Sequence, residues 1–156
     1  MSVESNIKEL LGLYSIDYKE FEHNPIVNYE DAKREKSIHN WKWVESKNVF
    51  MTNKKWKYFL FVTTMWQKVD FKEMKKLLGE KLSIASSKEV EDTACCIPWC
   101  VSPFGLKSEI FTIIDEKIFD SESYLFSPWI TTKTVQLKSK DLLPIFESLE
   151  NKIFVN

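Results

Sequence analysis

The sequence predicts an α+β fold: a single-domain mixed β-sheet flanked by helices. Three observations carry that expectation. Some segments repeat apolar residues at helical spacing and others alternate them. The two kinds are interleaved without a regular strand–helix–strand repeat, which argues against a doubly wound parallel sheet. And 156 residues with 44% hydrophobic and 14% aromatic side chains suffice to bury about two-thirds of the unfolded surface in one core. No internal repeat, low-complexity tract or linker divides the chain, so residues 1–156 are expected to form one domain.

Residues 3–14 read as a helix, because Ile7, Leu10, Leu11 and Tyr14 form one apolar stripe. Asp17 to Glu22 reads as a short strand, broken by His23-Asn24-Pro25. Asn28 to Ala32 looks like a cap followed by a short polar helix with acidic residues in its first turn. Trp41 to Thr52 alternates, Asn53-Lys54-Lys55 is a turn, and Trp56 to Thr64 is rich in aromatic and β-branched residues, so the pair predicts a hairpin. Phe71, Met74, Leu77 and Leu78 mark a second helix ending near Gly79. Leu82 to Ala85 is a short strand, and Ser86-x-x-Glu89 is a capping-box pattern opening a helix to about Ala94. Glu109 to Phe119 is an isoleucine-rich strand or hairpin arm, and Tyr124 to Leu137 contains another strand. Ser139 to Leu149 reads as a final helix, and Ile153 to Val155 as an edge strand.

Composition excludes several classes. No apolar run approaches the roughly 18 residues of a transmembrane helix, and the first residues carry neither a basic nor an apolar leader segment, so a cytoplasmic protein is expected. Cysteines at 95, 96 and 100 do not suggest a disulfide framework. A metal site would need ligands from His23 or His39, both distant in sequence; neither a metal nor a cofactor is expected. Net charge is −1, yet residues 33–81 hold 13 Lys/Arg against 5 Asp/Glu. That basic central third suits a phosphate-bearing partner such as RNA and equally a solvated lysine face. Trp41, Trp43, Trp56 and Trp66 beside it are either stacking surfaces for unpaired bases or closures of a sheet against a helix.

Residues Cys95 to Leu106 form a loop too rich in proline to be a helix or a central strand. Such a loop either presents backbone amides to a ligand or plugs the core.

Four stretches in order resemble the YbaK/ProX family of aminoacyl-tRNA deacylases, whose fold is also that of the editing domain of bacterial prolyl-tRNA synthetases. Phe21 to Val27 is similar to the family's Glu-His-x-Pro segment, and Ser46 to Met51 to its Lys-Asn-Leu-Phe-Leu strand. Lys81 to Ser86 resembles Lys-Leu-Ser-Phe-Ala-Ser, and Val101-Ser102-Pro103-Phe104-Gly105-Leu106 resembles the loop after the third helix almost letter for letter. The resemblance covers about residues 5–150 and implies hydrolysis of the ester joining a wrong amino acid, typically alanine, to tRNA(Pro), with water as nucleophile. It implies Lys47 as the family lysine, with Cys100, Val101 and Ser102 supplying backbone that orients the ester. His23, Trp99, Pro103, Phe104, Gly105, Ser127, Trp129 and Thr131 would shape the substrate pocket. The implied partners are the acceptor end of tRNA(Pro) and a prolyl-tRNA synthetase or synthetase complex.

Taken alone, Lys47 reads as a surface lysine beside Lys42 and Lys54. Three positions also depart from the family pattern: Trp99 stands where the loop has glycine, Ser127 where a later segment has histidine, and Thr131 where it has asparagine. An indole in place of glycine fills space near the ligand. The departures leave a second expectation open, a catalytically impaired tRNA-binding or protein-docking module. They also leave open an esterase of altered specificity. A cysteine–histidine nucleophile finds no support in the spacing.

Overall fold

The computed structural model describes residues 3–42, 44–65 and 67–156, with the side chains of residues 3–5 and 44 left out. Its elements follow the order α1 (Val3–Leu13), β1 (Tyr18–Glu22), α2 (Tyr29–His39), β2 (Val44–Thr52), β3 (Tyr58–Thr64), α3 (Phe71–Leu78), β4 (Ser83–Ile84), α4 (Ser87–Ala94), β5 (Phe111–Asp115), β6 (Ser123–Phe126), β7 (Lys133–Lys138), α5 (Leu143–Ser148) and β8 (Lys152–Val155). Strands pair in the order β1-β7-β6-β2-β3-β5-β8, with β4 against β2. The sheet is mixed: β2–β3 and β6–β7 are antiparallel, while β2–β6, β3–β5 and β5–β8 are parallel. The α+β expectation holds.

Strand alternation divides the apolar residues between two faces. On one face Phe50, Leu60, Val62 and Ile114 meet Ile7 and Leu11 of α1, Val90 of α4 and Ile145 and Phe146 of α5. On the other, Met51, Phe59, Phe61 and Ile113 pack against Met74 of α3. Sequence caps set the helix ends. Asp70 accepts from the Lys72 and Glu73 amides, Gly79 closes α3 at φ +71, and Ser86 and Glu89 complete the capping box of α4.

The departures from expectation are local. The polar helix after Asn28 runs on to His39, because Ala32 and Glu35 give it a buried side. Tyr124 to Leu137 holds two strands, β6 and β7, joined by a loop. The strand after Glu109 stops at Asp115, whose carboxylate accepts from the Lys117 amide and starts a 3₁₀ turn. The last helix is split: Ser139–Leu142 is 3₁₀, and α5 restarts with Pro144 in its first turn. The expected partnership of Trp41 with Trp43 in one strand lies partly outside the described residues, and β2 begins after both.

One partnership determines where a ligand can enter. β2 pairs with β3 from Ser46 to Thr52. Its other edge pairs with β6 only at Val44 and Glu45, and with β4 only at Met51 and Thr52. Between those contacts the sheet parts, and Ser46–Val49 face the opening. Glu45 O accepts from Met65 N, while Phe50 O accepts from Ala85 N on the opposite edge. By that parity the backbone groups of Ser46 and Asn48 point into the gap.

α2 ties down the segment beside this gap. Asn24 N donates to Glu35 Oε1 (3.2 Å), Val27 N to Asp31 Oδ2 (3.1 Å) and Arg34 Nη2 to Pro25 O (3.3 Å). Arg34 Nε in turn holds Glu35 Oε2 at 3.0 Å. The bond from Arg34, reinforced by the Asn24 amide, holds the Glu35 carboxyl below its ordinary value of 4.5, although burial opposes it.

Two predictions follow from this architecture. Ile114, wholly buried on β5, loses a packed side chain in Ile114→Ala; urea unfolding should show a loss of about 2–5 kcal/mol. Because the native pKa of Glu35 is depressed, its contribution is present above pH 4.5 and is lost as pH falls through the folded value below that. The difference in urea midpoint between wild type and Glu35→Gln should therefore be largest near neutrality and shrink below pH 4.5.

Candidate active site

The parted edge of β2 opens into a cleft of about 260 Å³. Its floor is β2 from Glu45 to Phe50. One wall is the His23–Ala32 segment with Trp41, and the other is Ala85, Val90 and the loop at Pro98, Trp99 and Val101. Leu125 to Thr134 close the end. The surround is mainly apolar with a few polar groups, the usual make-up of a small-molecule site.

Lys47 lies on β2 opposite Thr63. It is half-buried, and its Nζ donates to Gln67 O at 2.8 Å. That bond fixes the chain and leaves two of three ammonium protons for a ligand. The next residue reaches the proline-rich loop directly: Asn48 Nδ2 donates to Val101 O at 2.9 Å and to Ser46 Oγ at 3.2 Å.

The loop combines both roles open to it. Cys95 closes α4 in the left-handed region at φ +58, and Pro98–Cys100 makes a single 3₁₀ turn. Pro98, Trp99 and Val101 line the cleft, whereas Cys100, Ser102, Pro103 and Phe104 are buried beneath it. Gly105 turns the chain at φ +99, a conformation suited to glycine. Trp129 Nε1 donates to Phe104 O at 3.0 Å, so the loop is pinned from below as well as from β2.

Six residues expected at the site therefore line one cleft: His23, Lys47, Trp99, Val101, Ser127 and Thr131. The others are placed differently. Cys100, Ser102, Pro103 and Phe104 are core residues because the loop's own apolar side chains have no other place to be buried. The Cys100 amide is spent on Ile97 O at 3.1 Å. Phe104 and Gly105 border a separate hollow beside α1 and α5. Trp129, expected beside Trp99 in the pocket, is 8% exposed in the main core. The position facing Trp99 belongs to Tyr29 of α2, edge-on with ring centroids 4.8 Å apart.

His23 is held at both nitrogens. Nδ1 lies 2.8 Å from Asn24 O, which only accepts, so it carries a proton; Nε2 accepts from Thr134 Oγ1 at 2.8 Å. The ring is a fixed part of the wall, not a free base. Cys96 and Cys100 are buried against one another, and the hydrogen bond between them, together with burial, pushes the Cys96 thiol well above its usual range. Neither lines the cleft. Ser127 Oγ donates to Ile130 O at 2.9 Å and shapes the end loop.

Sequence reasoning passed over Tyr29, Glu45 and Asn48 as site residues and weighed Trp41 only for stacking. Asn48 sat inside a quoted stretch; Glu45 had no local signal at all. Three of these carry buried polar atoms with no hydrogen-bond partner among the described residues: Trp41 Nε1, Glu45 Oε1 and Asn48 Oδ1. Burial raises the Glu45 carboxyl above the usual range, with Lys36 acting against it. Of the other tryptophans, Trp56 stands 96% exposed at the β2–β3 turn, and Trp43 and Trp66 lie outside the described residues.

Comparison with known proteins bears on the fold and the family. Two solved structures superpose over nearly the whole chain. The hypothetical protein APE2540 is 12% identical with a TM-score of 0.79, covering 92% of this chain and 95% of that one. A protein described as a candidate trans-editing enzyme for prolyl tRNA synthetase is 15% identical with a TM-score of 0.77, covering 100% and 96%. At such identities these two establish the fold. The model of the aminoacyl-tRNA editing domain matches residues 23–145, from the cleft histidine to the last helix. This chain belongs to the aminoacyl-tRNA editing domain family.

Proposed function

We propose that the protein is a trans-editing aminoacyl-tRNA deacylase that hydrolyses mischarged tRNA(Pro), with alanine the leading candidate for the amino acid removed. The observation that supports this reading is that half-buried Lys47 lines the same cleft as the loop at Trp99 and Val101. A fixed ammonium stabilises negative charge as it develops on an ester or phosphate oxygen. Water adds to the ester carbonyl carbon, the bond from that carbon to the ribose oxygen breaks, and free amino acid leaves tRNA with its hydroxyl restored. Since the Cys100 amide already bonds Ile97 and Ser102 is buried beneath the cleft, the donor that the loop offers the carbonyl oxygen is the Val101 amide. Trp99 and Tyr29 narrow the cleft, which suits a site that admits only a small side chain.

A second reading has its own observation. Trp99 occupies the glycine position of the family loop, and the Lys47 amine is already engaged with Gln67. A module retaining tRNA binding without turnover, docked on a prolyl-tRNA synthetase or synthetase complex, fits those two facts. Binding of uncharged tRNA would in that case persist and weaken steeply with salt.

Deacylation of Ala-tRNA(Pro) tests the two. The wild type should release alanine well above the uncatalysed rate, and Lys47→Ala should lose about 100-fold or more, the scale of one electrostatic donor. Release by neither protein abandons catalysis on this substrate. Trp99→Ala should raise the rate on esters with larger side chains about tenfold or more relative to alanine, measured over a panel of mischarged tRNAs.

A further inference from the structure

We infer that the cleft binds its substrate through a free α-ammonium group, and that Glu45 is the residue receiving it. This rests on the deacylase reading and deepens it: the substrate class is an aminoacyl ester with an unblocked amine. Glu45 Oε1 is buried in the cleft floor and accepts no hydrogen bond among the described residues. Its ion-pair partner Lys36 Nζ stands 3.7 Å away, past hydrogen-bonding length, on a side chain 42% exposed. Trp41, 7% exposed, brings an indole N–H that also lacks a partner, and its backbone N–H donates to Lys36 O. Both residues line the cleft.

A buried acceptor in the floor and a buried donor in the adjoining wall, both open among the described residues, call for a ligand carrying both kinds of group. An α-amino ester does: its ammonium has three protons and its carbonyl oxygen accepts. The strand fits the spacing. Glu45 and Lys47 are two residues apart on β2 and project from one face roughly 7 Å apart. An ester whose ammonium and carbonyl sit on adjacent carbons, about 3 Å apart, bridges that interval with one hydrogen bond at each end, the ammonium on Glu45 and an ester or phosphate oxygen on Lys47. Burial disfavours the Glu45 carboxylate by more than Lys36 restores, so an arriving cation gains more there than at a solvated acid. Esters whose amine is formylated, acetylated or joined to a peptide carry no charge there and keep a single N–H.

The experiment compares Ala-tRNA(Pro) with N-acetyl-Ala-tRNA(Pro), for wild type and Glu45→Gln. Wild type should prefer the free amine by about 30-fold or more in kcat/KM, the scale of losing one partner of a buried charge pair. Glu45→Gln should lose that preference, mainly through KM, its loss on the free-amine ester exceeding its loss on the acetylated ester by about 30-fold or more. Equal wild-type rates on the two esters, or an equal loss on both in the variant, overturn the inference. Calorimetry with the uncleavable amide, 3′-alanylamino-3′-deoxyadenosine, and its N-acetyl form separates this from the fate of the deacylase reading. Where neither ester is cleaved, that reading fails, yet tighter binding of the free-amine amide, lost in Glu45→Gln, upholds the subsite. Equal binding of the two amides, or binding of neither, overturns it. The wild-type comparison needs no variant to fold.

Discussion

The division of β2 between two incomplete neighbours governs the rest of the molecule. A central strand ordinarily has both edges hydrogen-bonded along its length, and here one edge is paired only at its ends. Between those ends the backbone groups of Ser46 and Asn48 are not covered by another strand, so they must be met by side chains, solvent or a ligand. The Asn48 side chain reaches across the gap to bond Val101. Lys47 stands on this stretch and Glu45 at its edge. The cleft is thus a consequence of how the sheet parts.

Rigidity around the gap comes from bonds that are individually modest and jointly restrictive. The loop at Trp99 is held by Asn48 from the sheet and by Trp129 from below. Opposite it, the His23 segment is held by Glu35, Arg34 and Asp31 of α2, and by backbone bonds from His23 and Ile26 to the Thr131–Thr132 turn. Walls fixed from two sides suit a site that works by excluding large or blocked substrates, because exclusion fails if a wall yields.

The polar groups of the cleft are unequal in their freedom. His23 has both nitrogens occupied and acts as wall, while Ser127 is turned to its own loop. Lys47 keeps protons in reserve. Glu45, Trp41 and Asn48 each leave a buried atom open. The chemistry left to the protein is therefore electrostatic placement of an ester, with water as the reagent, more than general-base catalysis by a side chain.

Periodicity and caps made most of the fold legible. The stripe of α1, the β2–β3 hairpin, Asp70 and Gly79 around α3, and the Ser86 capping box are all local features, decided by residues within a few positions of one another. The site was half legible: motif stretches pointed to Lys47, His23, Trp99 and Val101, and these converge. They also suggested Trp129 and Phe104, which instead fill the core, since a motif does not say which of its residues are buried. The alternation of β2 shows that Glu45 and Lys47 share a face. That this face borders a gap depends on β6 and β4 reaching β2 from distant parts of the chain and stopping short of each other. Local spacing carries no record of where two remote strands end, so only the assembled sheet decides that Glu45 is a site residue at all.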